Sequence, residues 1–346
     1  MKYKTAIIIG VIVLILSVLA GCNGPNYENT EDREPLPPHG YLSVGHIEFM
    51  NDNLYSRVPF SYRELEAAEW IFQELLTMGH PEENVVMQEF SHAEVHNWRQ
   101  MSWEMLVDAP ISHGAHMRPY SQNVILTIPG QGDGVIVVGA HYDTLPYPGA
   151  SDNASGTALL LESAQRILDM DNYHTIVYVF FGAEEIGLLG AYFFHDSLSQ
   201  QEQDDIILMI NADVLFEGPY LIYGAGDMMG SNDISRQINV IAQGIRDAHD
   251  IEISTVPTAV NVPSDHLIFL WEGHTVVYLG GMYKQPAYSF TGFAVVPYDN
   301  YVLTGRVLHT YKDCIHYINV AWPGKIDRAM RTFSIFLEEM LLAVYN

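Results

Sequence analysis

Residues 135–181 give the clearest indication of the fold, and they read VIVVGAHYDTLPYPGASDNASGTALLLESAQRILDMDNYHTIVYVFF. Its two ends, Val135–Gly139 and Thr175–Phe181, are short apolar runs rich in β-branched residues, which predicts buried strands. The segment Ser155–Leu168 between them predicts a helix. Strands that alternate with helices in this way are typical of a largely parallel sheet with helices on both faces.

The same alternation continues on both sides of this stretch. Two further apolar runs predict strands, and three periodic segments predict helices. These segments are Asn123–Ile128, Ile206–Ile210, Tyr62–Met78, Ser231–Ala248 and Ile326–Tyr345. We therefore predict an α/β fold in which residues 41–346 form a single domain, a three-layer α/β/α sandwich with a mixed, largely parallel central sheet.

The first 40 residues are typical of targeting and attachment signals. Two lysines precede an uncharged apolar run, Ala6–Ala20, whose length suits a signal peptide. The sequence Leu19-Ala20-Gly21-Cys22 resembles the lipobox of bacterial lipoproteins, which implies cleavage before Cys22 and lipid on its thiol. We therefore expect a signal peptide over residues 1–21, a tether over residues 22–40, and a lipid anchor to a membrane of the bacterial cell envelope, outside the cytoplasm. The alternative is an uncleaved membrane anchor that happens to contain a cysteine.

The charge of the chain argues against one class of partner. Its 346 residues include 42 acidic side chains against 16 lysines and arginines, a formal net charge of -26. Such a chain offers no positive surface to phosphate backbones, so we expect no nucleic-acid partner. Cysteine usage is also limiting, because only Cys314 remains once Cys22 carries lipid, and one cysteine forms no internal disulfide.

Potential metal ligands follow three predicted strands at the point where each strand ends. They are His141 and Asp143, then Glu184 and Glu185, then Asp213, with Asp152 in the loop after the first strand. Each has an ordinary explanation when taken alone, since Asp152 could cap the next helix and Asp213 could close a turn. At one sheet edge, however, several acids repel one another unless a cation neutralises them. Imidazole and carboxylate together suit zinc, so we predict a zinc site at this edge.

Five short motifs then identify a family resemblance. They are His-x-Asp at 141–143, Asp-Asn-Ala-Ser-Gly at 152–156, Glu-Glu-x-Gly-Leu at 184–188, Asn-x-Asp at 211–213 and His-Thr at 309–310. The chain resembles the M28 family of zinc peptidases, in which these motifs occur in the same order. The similarity covers most of the chain after Tyr41 and includes the stretches Arg57–Ser61 and Gln122–Gly130. Five ordered motifs are a more specific signal than any one of them.

The resemblance implies a site with two zinc ions and five protein ligands. These ligands are His141, Asp152, Glu185, Asp213 and His309. Asp152 would bridge the two ions. His141 and Asp213 would complete the first ion. Glu185 and His309 would complete the second.

Further roles follow from the same resemblance. Glu184 would be the general base, which fits the opposed directions of successive side chains leaving a strand. Asp143 would orient the ring of His141, as carboxylates commonly do for a ligating histidine. A cis peptide bond would join Asp152 to Asn153.

The substrate pocket in this resemblance would be built by residues 251–301. His266 is expected in the pocket wall and is also the reserve choice for the fifth metal ligand, and Tyr283 is expected to contact the substrate. Some family members place an oxyanion-binding tyrosine directly before the last ligand, where this chain has Leu308. Either Tyr278 or Tyr283 supplies that hydrogen bond, or this chain lacks the tyrosine.

The activity implied by the resemblance is that of a two-zinc aminopeptidase that acts on peptides with a free amino terminus. Glu184 would take a proton from a metal-bridging water as the water attacks the peptide carbonyl. One alternative is a glutaminyl-peptide cyclotransferase, an acyltransferase of the same fold that usually binds one zinc and generally lacks a histidine equivalent to His141. The other is a catalytically inactive binding module, which would have lost ligands. Zinc stoichiometry separates the three, with two ions, one ion or none.

Overall fold

The computed structural model describes residues 35–91, 94, 117–218, 220–282 and 307–344. The strands within these ranges are β1 (Val85–Ser91), β2 (Tyr120–Ile128), β3 (Val135–His141), β4 (Thr175–Phe181), β5 (Ile206–Ala212), β6 (Tyr220–Gly226), β7 (Ser254–Thr255) and β8 (Val276–Met282). The α-helices are α1 (Tyr41–Asn53), α2 (Tyr62–Met78), α3 (Ser155–Arg166), α4 (Leu189–Ser197), α5 (Gln200–Asp204), α6 (Asp233–His249), α7 (His266–Trp271), α8 (Ile315–Ala321) and α9 (Lys325–Val344). None of these helices combines the length and apolarity needed to cross a bilayer.

The strands form one mixed sheet in the order β1-β2-β4-β3-β5-β8-β6-β7. The central strands β4, β3, β5 and β8 run parallel to one another. Toward the two edges, β2 pairs antiparallel with β1 and β4, and β6 pairs antiparallel with β8. In this register His141 lies opposite Phe181, and Gly139 lies opposite Asn211. The carboxyl ends of β3, β4 and β5 therefore lie side by side at one edge.

Helices cover both faces of the sheet. Ile136 and Val138 belong to the larger core cluster, which also contains residues of α1, α2, α3, α6 and α9. Val137 and Val179 belong to a second cluster, with residues of α4 and α7. Successive residues of a strand point to opposite faces, so Val137 and its neighbours fall in different clusters. The predicted three-layer α/β/α sandwich with a mixed, largely parallel sheet is confirmed.

Helix α2 begins and ends where its sequence predicts, because a capping residue lies at each end. The Ser61 side chain accepts a hydrogen bond from the N–H of Glu64 at 3.2 Å, which satisfies a free donor of the first turn. At the other end Gly79 has a φ of 104°, a left-handed conformation that glycine adopts without steric cost. The helix lies directly after the Arg57–Ser61 stretch and packs against β2 and α3.

The described chain contacts the domain before α1 begins. The N–H of Gly40 donates to the Glu162 carboxylate at 2.8 Å, and Arg166 donates to the carbonyl oxygen of Pro37 at 2.8 Å. From Pro37 onward the chain forms one compact unit. The last residues of the predicted tether therefore pack against the domain. The predicted signal peptide and the lipid on Cys22 lie outside the described residues and stay predictions.

Candidate metal centre

The predicted ligands stand where three parallel strands end. β3 ends at His141 itself, β4 ends shortly before Glu184 and Glu185, and β5 ends next to Asp213. Because these strands are parallel neighbours in the sheet, the segments that follow them leave the same edge. The sheet therefore delivers an imidazole and three carboxylates to one place.

His141, Asp152 and Asp213 form the first group of donor atoms. The Nε2 atom of His141 lies 3.2 Å from Oδ1 of Asp152 and 3.2 Å from Oδ1 of Asp213. All three side chains are buried, and one donor atom from each lies within 4.8 Å of the others. The structure brings together the set that the sequence assigned to the first ion.

Asp152, Glu185 and His309 form the second group. The Nε2 atom of His309 lies 3.0 Å from Oδ2 of Asp152 and 3.4 Å from Oε2 of Glu185. Their donor atoms also lie within 4.8 Å of one another, and the His309 side chain is 51% exposed. Asp152 belongs to both groups and turns a different oxygen toward each histidine. This arrangement suits a carboxylate that bridges two cations.

Hydrogen bonds from distant segments hold the loop that carries the bridging residue. The bond between Asp152 and Asn153 is cis, which confirms that expectation. The Asp313 carboxylate accepts the N–H of Ser151 at 2.7 Å and the N–H of Asp152 at 3.0 Å. The Asn153 side chain donates to the last carbonyl of β5 at 2.9 Å. The position of Asp152 thus depends on the segment that carries His309 and on the end of β5.

The two adjacent glutamates have different surroundings. Glu185 is part of the second group, whereas Glu184 belongs to neither group, with its Oε2 atom 3.9 Å from Nε2 of His141. The Asp143 carboxylate accepts the N–H of Glu184 at 3.0 Å and the N–H of Glu185 at 3.1 Å. Glu185 can therefore serve as a metal ligand, whereas the carboxylate of Glu184 lies outside both donor groups.

Asp143 approaches His141 most closely through its main chain. Nδ1 of His141 lies 3.2 Å from the carbonyl oxygen of Asp143 and 3.6 Å from its Oδ1 atom. A metal-binding histidine commonly donates its second N–H to such an oxygen, which fixes the ring and its tautomer. That Asp143 orients the ring of His141 stays a prediction. The nearer acceptor for Nδ1 is the carbonyl oxygen of Asp143 rather than its carboxylate.

Burial and neighbouring charges shift the pKa values of several site residues. Burial lowers the pKa of His309, but hydrogen bonds with Asp152 and Glu185 outweigh burial and raise the pKa to about 12. Burial raises the pKa of Glu185 to about 7, and the negative charge of Asp152 acts in the same direction. Burial also raises the pKa of Glu184 well above its ordinary value, although the positive charge of His141 opposes this. Clustered carboxylates of this kind need positive charge nearby, and a divalent cation supplies it.

The chemistry of the donor set fits zinc. Each group offers one imidazole nitrogen together with two carboxylates, which are ligand types that zinc prefers. Calcium and magnesium favour coordination by oxygen alone. Three protein ligands per ion is the usual number in catalytic zinc sites, where a further position stays open. The described residues can therefore hold two zinc ions.

His266 has a different setting from the two histidines of the donor groups. Its side chain is fully buried, with Nε2 3.1 Å from the carbonyl oxygen of Val260 and Nδ1 3.4 Å from the amide nitrogen of Asn211. It belongs to neither donor group, so His309 is the histidine of the second group. A contact between His266 and substrate stays a prediction, and in this structure the ring has no exposed surface.

Tyr278 does not offer its hydroxyl proton to an oxyanion. The hydroxyl donates to the carbonyl oxygen of Asp213 at 3.1 Å, and the side chain is buried. A tyrosine hydroxyl has a single proton to donate, so this bond occupies it. Tyr283 lies outside the described residues and stays a prediction, both for substrate contact and for the oxyanion.

Several buried charged residues near the site received no role from the sequence. Four of them are Arg57, Glu64, Asp265 and Asp313. The Glu64 carboxylate accepts the N–H of Ala183 at 3.0 Å, directly before the glutamate pair. Glu64 stands on the buried face of α2 in register with Ala68, Ile71 and Leu75, and a charge at such a core position was an available signal.

Asp265 differs from the other three residues in its hydrogen bonding. Both of its carboxylate oxygens are buried, and neither has a hydrogen-bond partner in the described part of the chain. Burial raises its pKa well above the ordinary value, and the positive charge of His141 opposes this. Its own charge acts on Glu184, whose pKa it helps to raise. The sequence signal was its position directly before His266.

Comparison with known proteins identifies a family whose sequences match this chain. The sequence profile of peptidase family M28 matches residues 123–334. The chain belongs to this family. Among curated M28-like relatives, aminopeptidase YwaD of Bacillus subtilis is 31% identical over 137 residues, which cover 39% of this chain and 29% of that protein. The chain thus spans less than a third of the length of this relative.

Solved structures agree with this family membership at the level of the fold. A zinc aminopeptidase from Bacillus subtilis superposes with a TM-score of 0.65 at 16% identity, covering 88% of this chain and 96% of that chain. A glutaminyl cyclase from an Acidobacteriales bacterium superposes with a TM-score of 0.63 at 18% identity, covering 92% and 98%. Since the two scores are so close, the M28 fold alone does not separate peptide hydrolysis from cyclisation, and the side chains must do so.

Proposed function

We propose that this M28 family member is a two-zinc aminopeptidase that hydrolyses amino-terminal residues from peptides. One observation carries the proposal, the pair of donor groups that share Asp152. Each group contains its own histidine and a further carboxylate, so each has the ligands for one ion. Glu184 supports the same conclusion, because its carboxylate stands beside the first group without being part of it.

The chain's own residues supply the proton transfers in this proposal. Zinc ions bound at such a site acidify water and polarise the peptide carbonyl. Glu184 accepts the proton of the attacking water and passes it to the leaving amine. Its side chain is 12% exposed and its N–H is bound to Asp143, so the carboxylate is held in place and shielded from bulk water.

The charge of the whole chain is compatible with a free amino terminus in the substrate. The formal net charge is -26. An acidic protein attracts positively charged groups, and the amino terminus of a peptide carries such a charge at neutral pH. By the family resemblance the free substrate amine also approaches the metals, which would confine cutting to the end of the peptide.

The second candidate is a glutaminyl-peptide cyclotransferase, which the cyclase of the same fold favours. In that reaction the amine of an amino-terminal glutamine attacks its own side-chain amide and ammonia leaves, so no water is consumed. The complete first donor group, with His141 in it, supports the two-zinc hydrolase instead. By the family resemblance a cyclotransferase would usually bind one zinc.

The test compares free and N-acetylated peptides, with and without a chelator, on the purified chain loaded with zinc. Cleavage of the free peptides alone, lost with the chelator, is the expected result. Equal cleavage of both peptides would mean an endopeptidase or a carboxypeptidase. Cyclisation of peptides that begin with glutamine, together with one zinc per chain, would establish the cyclotransferase.

We also propose that the protein is lipid-anchored at the bacterial cell envelope through Cys22. The support is the sequence Leu19-Ala20-Gly21-Cys22 after an uncharged apolar run. Two or more acyl chains hold a protein stably at a membrane. In cells fed with labelled fatty acid, the wild-type chain should take up label and stay with membranes, and a Cys22→Ala chain should do neither. Equal label in both chains would contradict the anchor.

A further inference from the structure

Arg57 lies in the connection between α1 and α2, far in sequence from every proposed ligand. Its side chain has no accessible surface. All of its side-chain hydrogen bonds go to main-chain carbonyl oxygens. The Nε atom donates to Tyr142 at 2.5 Å, Nη1 donates to Leu54 at 3.0 Å and to Pro148 at 3.2 Å, and Nη2 donates to Gly149 at 3.2 Å.

Three of these acceptors lie at the two ends of a single loop. Residues 142–149 have no helix or strand, and they join His141 to the segment that carries Asp152. Tyr142 is the first residue of this loop, and Pro148 and Gly149 are the last two. One planar guanidinium group therefore connects the beginning of the loop to its end.

The backbone of Arg57 adds two more bonds to the middle of the same loop. The N–H of Arg57 donates to the hydroxyl oxygen of Thr144 at 2.9 Å, and the N–H of Thr144 donates to the carbonyl oxygen of Arg57 at 3.1 Å. A loop without regular structure must find partners for its buried polar groups, and Arg57 provides them at several positions. Arg57 thus bonds the loop at its beginning, near its middle and at its end.

We propose that Arg57 is a positioning residue for the two-metal site, which closes the 142–149 loop and so sets the spacing between His141 and Asp152. The inference rests on the proposed function, because it assumes that these two residues bind metal. His141 and Asp152 are the first ligand and the bridge, so an error in their spacing would affect both donor groups.

The positive charge of Arg57 also helps to hold the ligand loops. Burial lowers its pKa to about 10, while the negative charges of Asp143 and Asp313 oppose this, so the guanidinium remains protonated at neutral pH. Asp143 and Asp313 are the carboxylates that hold the N–H groups of the ligand loops. Lysine would keep the charge, but its single ammonium group lacks the planar fork that reaches both ends of the loop.

The decisive variant is Arg57→Lys, with Arg166→Lys as the matched control. Arg166 is another buried arginine, bonded to Glu162 and to the carbonyl oxygen of Pro37, and it contacts no residue of the donor groups. Zinc affinity is measured by competition with a chelator, and the absorption spectrum of the cobalt-loaded chain reports ligand geometry independently of activity. We expect Arg57→Lys to weaken zinc binding about 10- to 100-fold and to change the cobalt spectrum, with Arg166→Lys matching the wild type.

Kinetics provide a further readout. Misplaced ligands should lower kcat more than they raise KM, because the peptide still binds while the reacting groups are out of place. If Arg57→Lys does not fold, Thr144→Val carries the test, since it loosens the same loop without changing charge. Wild-type zinc affinity and an unaltered cobalt spectrum in the folded variant would overturn the inference.

The outcome separates this inference from the proposed function. A wild-type chain that binds no divalent ion would end the proposed function itself. A wild-type chain that binds two ions and hydrolyses peptides, with an Arg57→Lys variant that behaves identically, would end the role of Arg57 alone.

Discussion

At the scale of single residues, the site depends on one carboxylate whose two oxygens face different partners. Oδ1 of Asp152 lies 3.2 Å from Nε2 of His141, and Oδ2 lies 3.0 Å from Nε2 of His309. Burial alone would raise the pKa of Asp152, but hydrogen bonds from the two histidines hold it well below its ordinary range. The side chain is therefore ionised at neutral pH, as a bridging ligand must be.

Glu184→Gln should abolish turnover and leave zinc bound. Glutamine keeps the shape of the side chain but does not accept a proton from water, and general-base catalysis contributes about 10²- to 10⁴-fold. We expect kcat to fall by at least this factor, with two zinc ions still present. Peptide hydrolysis and elemental analysis on the same sample measure both quantities.

The neighbouring substitution Glu185→Gln is the control for this prediction. Glu185 belongs to the second donor group, so its loss should remove zinc from that group. If Glu184→Gln lost zinc and Glu185→Gln kept it, the two residues would have the opposite roles.

At the scale of elements, buried carboxylates link the segments that carry the ligands. Asp143, after β3, accepts two consecutive N–H groups of the segment after β4. Asp313, before α8, does the same for Ser151 and Asp152. A buried N–H left without an acceptor costs about 1–3 kcal/mol, so these hydrogen bonds hold the segments in place. Each ligand segment is therefore held by another segment rather than by its own strand.

Asp313→Asn tests this linkage through stability. The asparagine amide would place its NH₂ group against one of the two backbone N–H donors and leave a buried donor without an acceptor. That costs about 1–3 kcal/mol in the free energy of unfolding, which urea titration of the chelated protein measures. Asp250→Asn is the control, because Asp250 is in the left-handed conformation after α6 and asparagine tolerates it. Equal stability of both variants and the wild type would contradict the linkage.

A histidine on helix α1 should make the stability of the fold depend on pH. His46 packs edge-on against Trp70 with ring centroids 5.7 Å apart, and its Nε2 atom is buried without a hydrogen-bond partner in the described chain. Burial lowers its pKa from 6.5 to about 4, with the negative charge of Glu162 opposing. Because the unfolded chain takes up this proton first, stability present above pH 6.5 is lost as pH falls toward 4.

His46→Leu should remove this dependence. Between pH 7 and pH 4.5 the wild type should lose about 2 kcal/mol of unfolding free energy more than the variant does. Urea unfolding at the two pH values measures the difference. His316→Leu, at an exposed position of α8, should behave as the wild type. A His46→Leu chain that loses as much stability as the wild type would contradict the prediction.

At the scale of the whole molecule, the sheet gathers residues that are far apart in sequence. The parallel order β4-β3-β5 places three strand ends together, and the segment before α8 adds His309 from the far end of the domain. The site therefore forms only when the sheet and the helices on both faces are assembled. We therefore expect metal binding to be coupled to the stability of the whole domain.

Removal of metal should lower the melting temperature of the whole domain. Zinc that binds the folded chain and not the unfolded one adds about 2.7 kcal/mol of stability when its concentration is 100 times Kd. Differential scanning calorimetry with a chelator, and then with added zinc, measures the shift. An Asp152→Ala chain should show no shift, since the shared ligand is gone. Unchanged melting of the wild type with zinc would contradict the metal site.

Many of the local elements and the types of ligand could be predicted from the sequence. Thr175–Phe181 and Tyr62–Met78 have the predicted bounds, since the periodicity and capping that define them lie within a few residues. Several helices and strands were not predicted from the sequence, and two of these strands, β6 and β8, pair with each other. The elements without a prediction are α1, α4, α5, α7, α8, β1, β6, β7 and β8. The five motifs also named every residue of the two donor groups before the structure placed them together.

The tertiary structure alone decided which atoms meet. It showed that the Tyr278 hydroxyl is bound to Asp213, that His266 is buried, and that Arg57 closes a loop 85 residues away. The reason is the separation along the chain of the residues that interact. Strand and helix formation follow from neighbouring residues, whereas a buried hydrogen bond depends on where two remote segments are packed, which no local pattern records.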